Sequence, residues 1–466
     1  MKKYLCLGTA ILGLAACQAS SNTPATAPTS EQIKSSSVSA QETNVQRPLT
    51  EAIDSVWSGQ RVWFDFVEQN DFQMIAYYDA SRQMSVAVRK MRDVNGAPWS
   101  YHKVSSWLGW DAHNKVEVAF DKNGIIHLSG NLHGNKLVYF RSESPYDPRT
   151  LKQIDVMVER AVEQRMTYPE FFKDPNGRLI FKYRDGSSGQ GRWFYNRWDV
   201  ETGTWSRLHE TVLLSGEDVR GVYPLGPILG PDGYAHMTFT WRETPIASSN
   251  HDLSYARSRD LVNWERSDGT AIPLPIVLAT GEVIDPIPEH GGLLNGRHPI
   301  GFDAENRVLV TYQKYNADKR SQVFIARLDG TSWTVRQVSD WDDLYVDLDK
   351  SGALDLPLLT NDPAYINSDG NIVASALLRN ENWEWILDPE DLSVISGGKL
   401  ASALPTGITQ FDKDNEMPFR VIPLMEDQSK KSTEYYLSWE ALQPNRDQAR
   451  ADIPPPSTLR VHRIPK

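Results

Sequence analysis

The sequence predicts an all-β chain, a β-propeller of seven blades, and three observations predict it. A turn-and-strand phrase recurs at near-constant spacing, the strands it opens alternate apolar with polar residues, and several strand pairs run into a short turn closed by tryptophan. Period-two alternation bounded by Gly, Asn and Asp is the mark of strands and hairpins.

Taken in order, a first blade is expected around Phe72 to Val104, with Gly96 to Trp99 as its closing turn. The turns and first strands that follow are Asp121–Leu128, Asp174–Tyr183, Pro231–Trp241, Asp303–Tyr312 and Ser368–Leu377. Second runs follow at Lys136–Arg141, Arg192–Trp198, Asp252–Arg257 and Gln322–Arg327, and the Tyr435–Ile464 region supplies a last blade. Gly124, Gly177 and Gly233 stand 53 and 56 positions apart, near the period of about 50 residues expected for a blade. A closed ring protects its sheet edges; a stack of β-sandwiches is the alternative, with shorter and less regular strand spacing. No helix is expected, and Leu151–Gln164 is read as loop.

The turns Gly203-Thr204-Trp205, Val262-Asn263-Trp264 and Gly330–Trp333 resemble degenerate Asp-box turns of sialidase-like propellers. Ahead of the repeats, Lys2 and Lys3 precede an apolar run, Tyr4 to Leu14, which has the build of a secretory signal and is too short for a permanent span. Leu14-Ala15-Ala16-Cys17 resembles a lipoprotein cleavage box, which implies lipidation of Cys17, and Gln18 after it fits outer-membrane sorting. The domain reading is therefore a signal over 1–17, a disordered tether over 18–48, poor in aromatic residues, and a propeller over 49–466. Periplasmic or surface placement, attachment to a membrane through the lipid and a monomeric state are the expectations.

The 466 residues carry a net charge of -11, which argues against a nucleic-acid partner. An anionic ligand must then be held by local cations. Cys6 lies inside the signal, so the mature chain has no cysteine pair for a disulfide or thiolate metal site.

Two adjacent blades hold the residues with chemistry. Trp110-Asp111-Ala112-His113-Asn114 precedes one strand, His133 follows the next, Thr167-Tyr168-Pro169 opens the following blade, and Tyr183-Arg184-Asp185-Gly186 ends its first strand. All sit where strands begin or end, so they can converge on one mouth of the ring. This set, with its two histidines 20 positions apart, resembles the seven-bladed propeller ulvan lyases, and the blade phrasing extends the likeness from about Trp57 to the end.

The resemblance implies a polysaccharide lyase that splits a rhamnose-3-sulfate to glucuronate or iduronate linkage. It implies that His113, His133, Tyr168 and Arg184 are catalytic and that Tyr223 contributes. The chemistry fits these residue types. The C5 proton of a uronate is weakly acidic until its carboxylate is neutralised, which Arg184 can do in two-pronged fashion with His133 assisting. Tyr168 serves as acid, and as base too when both groups lie on one face of the sugar; His113 is the base for the epimer.

Asn114, Tyr223, Arg192, Arg242 and Lys136 are the candidate substrate-binding residues, with Arg197 a further cation nearby. Trp110, Trp193 and Trp241 are either sugar platforms or packing between blades. His127 and His236 alternate within strands and read as structural. His251, His290 and His298 lack metal-ligand spacing, and Asp252, Asp285 and Asp303 form no EF-type loop. No cofactor is expected for catalysis, whereas a structural divalent ion is compatible with the sequence. Two other functions remain open: a propeller glycoside hydrolase recruiting Asp111, Glu170 or Asp185 as a carboxylate pair, and a non-catalytic glycan-binding lipoprotein.

Overall fold

The repeated turn is built by one side chain. Asp121, Asp174 and Asp303 each use Oδ1 to accept the backbone N–H two and four residues on, at 2.8 to 3.0 Å. Asn367 does the same for Asp369 and Asn371. The chain can then reverse through a left-handed residue, Gly124, Gly177, Gly370 or Asn306, a conformation that glycine adopts without steric cost. These turns recur in a computed structural model that describes residues 49–91, 97–351, 354, 359–379, 381–400, 408, 419–424, 433–445 and 447–465. The signal, Cys17, the tether and Gly96 lie outside the described residues.

The described strands form seven antiparallel sheets. Sheet 1 comprises Asp65–Gln69, Phe72–Tyr78, Gln83–Lys90 and Ser100–Trp107; sheet 2 comprises Val116–Phe120, Ile126–Gly130, Tyr139–Ser142 and Leu151–Gln153. Sheet 3 is built on Met166–Lys173, Leu179–Ser187, Gln190–Asp199 and Thr204–Arg207, and sheet 4 on Gly221–Leu229, Ala235–Arg242 and Asn250–Ser258. Ile300–Phe302, Val308–Tyr315, Ser321–Asp329 and Ser332–Gln337 make sheet 5; Ile372–Leu378, Glu381–Leu387 and Val394–Lys399 carry sheet 6. Sheet 7 joins both ends of the described chain: Leu49–Val56 pairs with Ser457–Pro465, beside Thr433–Glu440 and Phe419–Pro423. Three short 3-10 turns, Pro148–Thr150, Arg160–Val162 and Ala247–Ser249, interrupt this β succession, and Ile408 is helical.

Aromatic residues fill the space between sheets. Trp198 of sheet 3 donates to the turn carboxylate of Asp121 at 2.8 Å, and Trp333 of sheet 5 donates to Glu282 of sheet 4 at 2.6 Å. Phe64 stacks on Trp439 at 4.5 Å, worth about 0.5–1.5 kcal/mol beyond the area buried. His127 and His236 occupy equivalent places in sheets 2 and 4, buried and hydrogen-bonded at 2.7 Å to Tyr139 and Tyr255. Each pair is a diagonal across neighbouring strands, which is the structural role expected of these histidines. Leu151–Gln164 contains a short strand and one 3-10 turn, anchored by the buried Glu163 carboxylate, which accepts the backbone N–H groups of Met157, Val158 and Glu159.

Candidate active site

One local departure from the repeat assembles the site. His133–Asn135 leaves sheet 2 and adds to the edge of sheet 3, where His133 stands opposite Thr167 and the Thr167 hydroxyl accepts Gly134 N–H at 2.8 Å. The next residue, Tyr168, lies in a bulge between Thr167 and Glu170 and has φ of +56°. For a tyrosine that conformation costs on the order of 1–3 kcal/mol and persists only where its surroundings impose it. It sets the Tyr168 ring 6.0 Å from the ring of His133 and 6.1 Å from that of His113.

Asp111 holds the two histidines together. Its Oδ1 accepts both the backbone N–H of His113, at 2.9 Å, and His113 Nδ1, at 2.8 Å. Its Oδ2 accepts His133 Nδ1 in a short hydrogen bond. The imidazoles stack with centres 4.3 Å apart and planes 28° apart. Partial burial pushes the Asp111 carboxyl up, but the hydrogen bonds from His113 and His133 and the His133 charge outweigh it, leaving the group well below the usual carboxylate range. The turn is pinned from outside by Asp447, whose Oδ1 accepts Ala112 N–H at 3.2 Å.

Arg184 lies on the other side of Tyr168. The strand Leu179–Ser187 places it opposite Thr167 on one side and Trp193 on the other. Arg184 is 2% exposed as a residue, and its guanidinium lies over the rings of Tyr168 and Tyr223 and donates from Nη1 to the Tyr223 hydroxyl at 3.3 Å. Among the described residues it forms no ion pair, and its buried Nε has no partner. Gly191 makes room for it: a Cβ there would meet Arg184 Cδ at 2.8 Å.

Tyr168 and Tyr223 respond to this charge in opposite senses. Burial pushes the Tyr168 phenol up, and the charges of Arg184 and Arg242 only partly oppose it. Burial also pushes Tyr223 up, but there Arg184, Arg242 and hydrogen bonds from Ser188 and Gly189 prevail, and the phenol ends below its usual value.

The remaining sequence candidates divide. Arg242 is buried beside Tyr223, with Nε on the Thr244 carbonyl at 3.1 Å, Nη2 on the Pro245 carbonyl and Nη1 toward Asn295. Asn114 is buried in the Asp111 turn, its Oδ1 without a partner among the described residues. Arg192 is bound at 3.1 Å to Asp185, a carboxylate that Arg165 approaches to 4.0 Å. Lys136 is exposed. Trp193 and Trp241 are buried between sheets, which rules out sugar stacking for both; Trp193 lies parallel to Tyr168 at 6.3 Å and donates to the Val222 carbonyl. Trp110, half-buried, packs edge-on against Trp57.

Among the described residues, Asp111, His113 and His133 are the one group whose ligand atoms, within 4.8 Å of each other, are placed to hold a metal ion. The carboxylate oxygens there already accept both Nδ1 atoms, so an ion would have to replace those hydrogen bonds. The bridging role of Asp111 and the clearance at Gly191 are the features that the sequence reading missed. The Asp-x-His spacing carried a signal for the first, since an aspartate readily caps the N–H two residues on.

Known proteins resemble the chain at three levels. A segment is 33% identical over 67 residues to a long-isoform ulvan lyase of Glaciecola sp. (strain KUL10), covering 14% of this chain and 7% of that protein. The corresponding match to a long-isoform ulvan lyase of Pseudoalteromonas sp. (strain PLSV) is 34% over 65 residues, or 14% and 6%. The alignments thus span well under a tenth of those relatives' length. In three dimensions the polysaccharide lyase Uly1 aligns with TM-score 0.59 and 15% identity, covering 87% of this chain and 90% of that one. A PL25 ulvan lyase bound to -[GlcA(1-4)Rha3S]- aligns with TM-score 0.59 and 12% identity, over 89% and 95%. These structural likenesses establish the propeller-like fold. The model of the BNR repeat-containing family matches residues 72–341, more than half of the sequence, and the chain belongs to that family.

Proposed function

We propose that the protein is a polysaccharide lyase that cleaves ulvan, a sulfated uronate-containing glycan, by β-elimination. The observation that carries this reading is Arg184, a buried guanidinium with no carboxylate partner among the described residues, set between two tyrosines, one of which, Tyr168, lies beside a histidine pair. Burying an unpaired charge is costly; a uronate carboxylate supplies the missing partner through a two-pronged contact. The names of the relatives, ulvan lyases, and the sulfated glycan bound to one structural neighbour support the same substrate class.

With the carboxylate neutralised by Arg184 and assisted by His133, negative charge accumulating at C5 and the carboxylate is stabilised as the proton leaves. His113 takes that proton, or Tyr168 does when donor and acceptor share one sugar face. The C4–O4 bond then breaks and a C4=C5 double bond forms. Tyr168, whose phenol burial keeps protonated, delivers a proton to the departing O4 when His113 is the base; in the one-face route it must enter as phenolate, take the C5 proton and pass that same proton to O4. Tyr223 and Arg242 support Arg184 from behind, while Asn114, Arg192 and Lys136 contact the flanking substituted sugars. The scheme draws on side chains alone; a structural divalent ion would have to lie away from Asp111, His113 and His133, whose hydrogen bonds it would otherwise replace.

The carboxylates a hydrolase would recruit are committed elsewhere: Asp111 to the two histidines, Glu170 to Lys182 and Lys115, Asp185 to Arg192. We further propose that the seven sheets are blades of one closed ring and that the chain is a monomer held at the outer membrane by lipid on Cys17. The test of function is near-ultraviolet absorbance during digestion of ulvan, with Tyr168→Phe in parallel. Rising absorbance lost in the variant supports elimination; new reducing ends without absorbance mean hydrolysis; binding without product means a capture protein.

A further inference from the structure

We infer that Asp111 is a positioning residue that commits both histidines to one tautomer, with the proton on Nδ1 and Nε2 left for the reaction. The inference rests on the lyase reading for its catalytic consequence but not for its geometry. An ionised carboxylate only accepts hydrogen bonds, and its two oxygens face the two Nδ1 atoms separately, Oδ1 toward His113 and Oδ2 toward His133. Each ring must therefore carry a proton on Nδ1. Neither Nε2 has a protein partner among the described residues, so these are the atoms available to take a proton and, once protonated, to donate to a substrate carboxylate. The second ring nitrogen's partner fixes a histidine's tautomer, and here one side chain fixes two at once.

The geometry also dictates what an amide would do in its place. Oδ1 accepts two N–H groups of His113, one backbone and one ring. In Asp111→Asn the amide oxygen keeps that side, where two donors await it, and the amide nitrogen faces His133. An NH₂ group donates, so His133 must offer a lone pair at Nδ1 and move its proton to Nε2. His113 keeps its tautomer. The neutral amide preserves shape and the turn, so folding is retained while only one ring is reversed.

The experiment is 15N NMR of the full chain labelled at histidine, with His113→Gln and His133→Gln assigning the two signals, alongside steady-state kinetics on ulvan. In the wild type both neutral rings are expected as Nδ1–H tautomers. In Asp111→Asn the His133 signals exchange character and those of His113 do not; the anion that stabilises a cationic His133 beside the substrate carboxylate is gone, so kcat falls about a hundredfold, the scale of losing one electrostatic contact to the developing charge, with KM little changed. Asp111→Glu, which keeps two acceptor oxygens, restores part of kcat. The inference is overturned if both tautomers survive in Asp111→Asn, or if elemental analysis finds one divalent ion per chain that a chelator removes with loss of the wild-type imidazole signals, which would make the three residues ligands. Correct tautomers with no turnover of ulvan would sink the lyase reading and leave the tautomer assignment standing.

Discussion

The guanidinium carbon of Arg184 lies 4.9 Å from the centre of the Tyr168 ring, so the residue expected to neutralise a carboxylate and the one expected to donate a proton are in direct contact. Arg184 comes from the second strand of sheet 3 and Tyr168 from the bulge in its neighbour, and neither position tolerates a shift without moving the other.

Replacing Arg184 with Lys tests the two-pronged contact separately from the charge. A lysine supplies a point charge without the planar fork, so kcat/KM on ulvan should fall about a hundredfold while circular dichroism is unchanged. Equal activity in the variant would argue that charge alone suffices.

Gly191→Ala probes the clearance behind Arg184. The added methyl would meet Arg184 Cδ at 2.8 Å and Cγ at 3.0 Å, so the guanidinium must move. A displacement of about 1 Å can cost about a hundredfold in rate; the expectation is a loss of at least tenfold in kcat with thermal stability lowered only slightly. Wild-type kinetics would mean that Arg184 can yield without cost.

The two tyrosines should separate on mutation. Tyr168→Phe keeps the ring beneath Arg184 and removes only the proton donor, so turnover collapses while substrate affinity persists. Tyr223→Phe removes the hydroxyl that accepts from Arg184 Nη1 and should raise KM more than it lowers kcat. Isothermal titration with an inactive background and initial rates on ulvan distinguish the two.

Acid stability should be governed by histidines remote from the site. His298 is buried, its Nε2 accepting Gly296 N–H and its Nδ1 bonded to Thr238 Oγ1, and burial lowers it to about 3; burial, with Arg460, lowers His462 to about 4. Both are neutral in the fold and take up a proton more readily once unfolded. Their contribution is therefore complete above the ordinary histidine value near 6.5 and is lost as pH falls through the window toward 4 and then 3. Thermal melts from pH 7.5 to 4 should show a falling midpoint, and His298→Gln, which cannot titrate, should flatten that slope.

Much of this was legible in the sequence because the turns are local. An aspartate or asparagine that caps its own chain, followed by a residue suited to positive φ, writes each reversal in five letters, and Asp121, Asp174 and Asp303 were readable on that basis. His113, His133, Tyr168 and Arg184 were readable as one set because each lies in a distinct phrase, and the structure brings all four together, although Tyr168 and Arg184 lie within strands rather than at the strand ends the sequence suggested. What the sequence hid are long-range pairings: the transfer of His133–Asn135 from one sheet to the next, the clamp of Asp447 on a turn 335 residues away, and the commitment of Arg192 to Asp185. Such contacts depend on which sheets become neighbours, and alternation alone does not encode that.

The pairing of Leu49–Val56 with Ser457–Pro465 sets the order in which the molecule can be finished. Thr50 and His462, 412 residues apart, share a hydrogen bond of 2.9 Å, so the earliest described strand waits for the latest. Closing a loop of that length costs about 5 kcal/mol in chain entropy and grows only logarithmically with further length, a sum that an eight-residue strand paired along its whole edge can meet. The first and last described strands thus act as a clasp. Until it shuts, sheet 7 is missing strands and offers a bare edge to other chains.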